Sequence, residues 1–188
     1  RILYKPHKQG QFRRWVDEAN GVLHGIDLPY LHSVATIPYY IPDFLTATPA
    51  TTIADIEDEF RRLRSVPIEI IRKNIAYALE LAGESAILQQ FMAYPRETME
   101  CLIDELRIYW RRTLEHHWPH MMSVLDGDVI YRGRNLALEG TKALFSGLHP
   151  ELQLVGERLE YTGSEKPDHM SKNYQLNGSG VQLVPSIF

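Results

Sequence analysis

Between Pro95 and Ser146 the apolar residues recur at helical spacing, and this stretch constrains the fold more than any other. Met99, Leu102, Ile103, Leu106, Tyr109, Trp110 and Thr113 step by three and four behind Pro95, a residue suited to opening a helix. The opposite face carries Glu97, Glu100, Asp104, Arg111 and Arg112. Pro119 would clash inside a continuing helix but fits the first turn of a new one. The spacing therefore predicts a second helix from about Trp118 to Ser146, about 40 Å long at about 1.5 Å per residue. Met121, Met122, Leu125, Val129, Leu136, Ala143 and Leu144 are its candidate core positions. Two long consecutive helices commit the chain to a mainly α fold.

Upstream, Gln11 to Asn20 reads as a helix with Phe12, Trp15, Val16 and Ala19 on one side, ended by Gly21. Residues 22–50 read as a connector, because Pro29, Pro38, Pro42 and Pro49 forbid a long regular element. Its apolar and aromatic content, Tyr30 to Leu45, requires it to pack on a core. Thr51 or Thr52 is placed to cap a helix reaching Ser65, with Ile53, Ile56, Phe60 and Leu63 inward. Pro67 opens the next, with Ile68, Ile71, Ile75, Ala78 and Leu79 inward, and a short helix spans Glu84 to about Ala93. After Gly147 the texture changes. Two short strands flank Gly156, residues 162–172 are polar and loop-like, Asn177-Gly178-Ser179-Gly180 is a turn, and Val181 to Phe188 reads as a strand. The expected class is mainly α (α+β): one domain over 1–188, helical over 1–147, with a small antiparallel sheet in 150–188.

Composition removes several classes. The chain has 188 residues and a net charge of −4, against the strongly basic balance of a nucleic-acid clamp. No apolar run is long enough for a membrane span, and the basic start lacks a signal core. The single cysteine, Cys101, allows no internal disulfide and fits a reducing, cytoplasmic setting. The chain opens on arginine and closes on the apolar run Leu183 to Phe188, whereas natural termini are usually polar. It therefore reads as part of a longer polypeptide.

Few residues point to chemistry. His116, His117 and His120 form the one dense group of ligand type, but Pro119 interrupts the helical spacing. No glutamate follows His116 as a metalloprotease helix requires, and helix-end histidines beside a negative C-terminus are the simpler reading. Cys101 has no adjacent base. Asp126 with Asp128, and Glu57 with Asp58, read as solvated helix charges, and Asp128 can pair with Arg132 along the helix. Tyr109, Trp110, Trp118 and Tyr131 surround the helix junction as core aromatics, or else as a pocket for an apolar small molecule with Arg132 as polar handle. Gly133, Gly140 and Gly147 repeat every seven residues. Gly147 suits a C-cap; Gly133 and Gly140 imply a close backbone, from an intrachain crossing or a dimer seam.

Several segments, in order, resemble a known family. Pro42-Asp43-Phe44-Leu45-Thr46 with Pro49 resembles a PDFLTP-type segment. His117-Trp118-Pro119, Asp128 to Arg132 with Arg134, and Gly140 resemble its long-helix pattern, and Leu148-His149-Pro150 and Leu183 to Phe188 its later landmarks. Over about residues 30–188 the chain is similar to the uncharacterised N-terminal domain of bacterial ArsR-type transcriptional regulators. The resemblance implies a winged helix-turn-helix module after residue 188, a homodimer that contacts DNA through that module, a possible small-molecule effector, and no cofactor. The glycine turn lacks the family's usual arginine, and the metal-sensing cysteine motif of the arsenic repressors is not present, so regulation is implied but not metal sensing. Two other classes stand beside it: a metal-dependent enzyme built on the histidine group, and a purely structural dimerisation module.

Overall fold

The computed structural model describes residues 10–46, 55–162 and 173–186. The protein is mainly helical, with a two-stranded antiparallel sheet near the C-terminus. Its elements are α1 (Arg13–Val22), α2 (Pro29–Ala35), α3 (Ile56–Ser65), α4 (Ile68–Ala82), α5 (Ala86–Ala93), α6 (Pro95–Thr113), α7 (Trp118–Ser146), β1 (Leu152–Val155) and β2 (Arg158–Tyr161). They fall into two compact units, one up to His116 and one from His117 onward. Helix α7 falls in the same unit as the hairpin.

In the first unit α6 is central, and α1 to α5 all pack against it. Its apolar stripe does what its spacing predicts: Met99, Leu102 and Ile103 are buried, and Leu106 packs at the core's edge. They meet Phe60 and Leu63 of α3, Ile71, Ile75 and Ala78 of α4, and Leu88 and Phe91 of α5. Prolines punctuate as expected. Pro95 starts α6, Pro119 lies in the first turn of α7, and Pro67 is the residue before α4. Arg96 closes the end of α3 by donating to the carbonyls of Arg64 (2.8 Å) and Val66 (2.9 Å).

Three expectations change. The 22–50 connector contains a regular element, because Pro29 sits at the N-terminus of α2 and pre-sets its first turn. Val34 and Ile37 there are fully or nearly fully buried. Helix α1 runs past Gly21 to Val22. Asp55, rather than a threonine, caps α3: its carboxylate accepts the Glu57 N–H at 2.8 Å. Ile53 and the two threonines lie outside the described residues.

In the second unit, Leu144 and Phe145 are the buried positions of α7, and β1 packs on that helix; of the other expected core positions, Val129 and Leu136 are instead exposed, and Met121, Met122, Leu125 and Ala143 are half-buried. Strands β1 and β2 pair antiparallel, with Leu152 opposite Tyr161 and Val155 opposite Arg158. Asn177 and Gly178 form the expected turn, closed by Ser179 N–H on the Leu176 carbonyl at 2.8 Å. Residues 181–186 are not a strand: they make no ladder, and the last two residues lie outside the described ones. Helix α7 is broken at Gly140, whose φ of 81° and ψ of 178° belong to glycine almost alone. Its straight part, Trp118 to Glu139, is about 33 Å long. A Cβ at Gly133 or Gly140 would meet nothing within 4 Å, so among the described residues no backbone crosses there. Gly140→Ala is expected to lower stability by more than about 1 kcal/mol, readable as a shift in the urea midpoint; an unchanged midpoint would show that the break is not held in the native state. Among the described residues no helix is long and apolar enough to cross a membrane.

Candidate functional site

The first unit contains a cleft of about 780 Å³. Such a volume suits a small organic ligand. The segment after α1 supplies Leu23, Ile26 and Leu28, α2 and its exit supply His32, Ser33, Thr36 and Ile37, and the start of α5 supplies Ser85, Ile87 and Leu88. Ile37 and Leu88 are buried and form an apolar floor, while Asp27, His32 and Thr36 are exposed at the rim. An apolar floor with a polar rim favours an amphipathic guest: an apolar body for the floor and a hydroxyl or amine for the rim.

One wall of this cleft is α2, a helix of only seven residues. So short a helix is not self-sustaining, and its position depends on tertiary contacts. Leu28, its capping residue, offers no side-chain acceptor. Glu105 of α6 fills that role from across the core, accepting the Leu31 N–H at 2.7 Å. The carboxylate also takes a backbone hydrogen bond from Tyr30 and thus sits at the positive end of α2. Burial pushes the Glu105 carboxyl above the usual glutamate range, and the two backbone donors pull it partly back. The Tyr30 hydroxyl donates to Gln90 Oε1 at 3.0 Å, and its ring meets Phe91 edge-on at 6.2 Å. Desolvation raises the Tyr30 phenol, and the Cys101 thiol beside it adds to the shift. Cys101 itself is exposed.

The Pro42-Asp43-Phe44-Leu45 segment is fixed by side chains from two helices. Buried Asn74 of α4 accepts the Phe44 N–H at 3.1 Å and donates to Asp43 Oδ2 at 3.3 Å. Arg62 of α3 donates to the Phe44 carbonyl at 3.1 Å. The Phe44 ring enters the core, which gives the segment a structural role.

The residues singled out in the sequence lie elsewhere. Tyr109 and Trp110 are half-buried on α6 in the first unit, and Trp118 is half-buried at the start of α7. Tyr131 is 61% exposed on α7. Arg132 is bound to Asp128 at 2.9–3.0 Å, the i, i+4 pair that the spacing predicts. His116 Nε2 lies 2.8 Å from Glu18 Oε1. His117 precedes α7, and His120 is exposed in its first turn. Among the described residues no three-membered ligand group includes His120. Sequence reasoning missed the cleft and the roles of Glu105, Asn74 and Gln90. The one signal was the apolar content of residues 22–50, which reports a packed connector but not the space beside it. Comparison with protein-family models, with curated proteins and with solved structures returned no match.

Proposed function

We propose that this chain is the N-terminal effector-sensing and/or dimerisation part of a bacterial ArsR-type transcriptional regulator, with its winged helix-turn-helix module following residue 188. The observation that carries the sensing half is the cleft of about 780 Å³ walled by a short, tertiary-held helix. A guest on its apolar floor would touch α2, and α2 is coupled to the long central helix through Glu105. A ligand shifts such an equilibrium only by binding one position of α2 better than another. The family resemblance supplies the regulatory context, and the net charge of −4 suits a region that leaves phosphate contact to another module.

The test uses the complete gene product. Operator binding is measured by fluorescence anisotropy against a panel of small amphipathic compounds, in wild type and in Thr36→Trp, which places an indole at the cleft rim. The expected result is specific DNA binding that one compound class alters at least about tenfold, the size of a typical coupling energy. Thr36→Trp should keep DNA binding and lose the response. Absence of specific DNA binding would sink the regulator reading; a response that Thr36→Trp leaves intact would sink the cleft as sensor.

A further inference from the structure

Helix α7 has an outward face with a particular symmetry. Between Met122 and Leu138, the residues within about 80° of Ile130 at about 100° per residue are Met122, Ser123, Asp126, Gly127, Gly133, Arg134, Ala137 and Leu138. Ile130 and Leu138, each 71% exposed, are the most exposed apolar side chains of the helix. These positions pair off about Ile130. Asp126 and Arg134 stand four residues either side of it, Gly127 and Gly133 three, Ser123 and Ala137 seven, Met122 and Leu138 eight. Apolar mirrors apolar, small mirrors small, and acid mirrors base. Asp126 and Arg134 are about 12 Å apart along the axis, so they cannot pair with each other. Asp128 and Arg132, which do pair within the helix, point to the far side.

We infer that this face docks on the same face of a second copy, antiparallel, with the two-fold axis at Ile130. An isologous contact requires a patch complementary to itself under the two-fold. Running the second helix in reverse sets Ile130 on Ile130 of the partner subunit and Asp126 beside Arg134 of the partner subunit, twice. A parallel copy would instead set Asp126 on Asp126 and Arg134 on Arg134, a like-charge arrangement. Charge therefore selects the direction. Ser123, Gly127, Gly133 and Ala137 leave room around the central Ile130 pair, which sets the axes toward the long end of the helix-packing range, about 10 Å. Gly133 thereby keeps a place in the seam, while Gly140 is glycine for its backbone angle.

This inference rests on the dimerisation half of the proposed function and on neither DNA binding nor the cleft, so its failure is separable from theirs. Two measurements on the chain test it. In the first, Asp126→Arg and Arg134→Asp are each compared with wild type by sedimentation equilibrium. Each alone should weaken the dimer about tenfold or more, since the symmetry creates two like-charge contacts. The double variant, and an equimolar mixture of the two singles, should recover it. Both positions are exposed, so the singles stay folded, and the recovery in the double and mixed samples excludes a general loss of structure. In the second, with Cys101→Ser as background, Ser123→Cys and Ala137→Cys are oxidised alone and mixed. A disulfide needs Cβ atoms about 4 Å apart. Antiparallel docking brings position 123 against position 137 and holds the two 123 positions about 21 Å apart. The mixture should cross-link and neither single should. A monomeric wild type, charge inversions without effect, or a Ser123→Cys protein that links to itself would each overturn the inference.

Discussion

Phe91→Ala is expected to lower the free energy of unfolding by about 3–5 kcal/mol, the cost of removing a fully buried phenyl ring from a packed core. Against a total of about 5–15 kcal/mol for a typical domain, that leaves a substantial unfolded fraction on mild heating. Phe91 has no exposed surface and lies at the meeting of α4, α5 and α6. Its ring also supports Tyr30, so the cavity would open directly beneath α2. The cleft should therefore suffer with the core: Leu88, one turn earlier on α5, is part of its floor. Phe91→Leu, which keeps most of the volume, should cost less than about 1.5 kcal/mol and preserve the cleft. Urea denaturation followed by tryptophan fluorescence measures both. A loss below 1 kcal/mol for the alanine variant would mean that the ring is not packed as described.

The long helices were legible in the sequence because they satisfy several rules at once. Pro95 and Pro119 mark the starts, the 3–4 stepping of Met99 to Thr113 marks one buried face, and charges occupy the other. The hairpin was legible from alternation around Gly156. What was not legible depends on partners distant in the chain. Helix α2 needs Glu105, 74 residues away from Leu31, as its cap, and no local signal in residues 22–50 announces it. The Asp43-Phe44 turn needs Asn74 and Arg62 in the same way. Gly140 illustrates a different difficulty. A glycine in a helix pattern fits either close packing or a positive φ, and the pattern does not separate the two. The cleft is a shape, formed where the exit of α1, the helix α2 and the start of α5 fail to fill space. Periodicity reports which faces are apolar and is silent on where they leave a gap.

Glu105→Ala should destabilise the protein by about 2 kcal/mol, because the Leu31 and Tyr30 N–H groups lose their acceptor at the mouth of α2. The pH dependence reports the burial of this carboxyl, which outweighs the pull of its two backbone donors. The Glu105 carboxyl titrates above the usual glutamate range in the folded state, chiefly through burial. As pH rises, the unfolded chain ionises this group first, while the native state still holds its proton. The native state binds more protons throughout that interval, so stability falls with rising pH until the folded carboxyl ionises too, and is then level. Glu105→Gln keeps an acceptor for one N–H but cannot titrate. Comparing wild type with Glu105→Gln by urea unfolding from about pH 4 to pH 7 cancels the remaining groups. The difference should move in favour of the glutamine variant as pH rises. A constant difference would show that Glu105 ionises alike folded and unfolded, and its capping of α2 would then have to be carried by a carboxylate in contact with water. The same comparison bears on sensing. If α2 is held by this one ionisable side chain, mild acid and a cleft ligand act on the same element, and protonating Glu105 should change the affinity of the cleft for its guest.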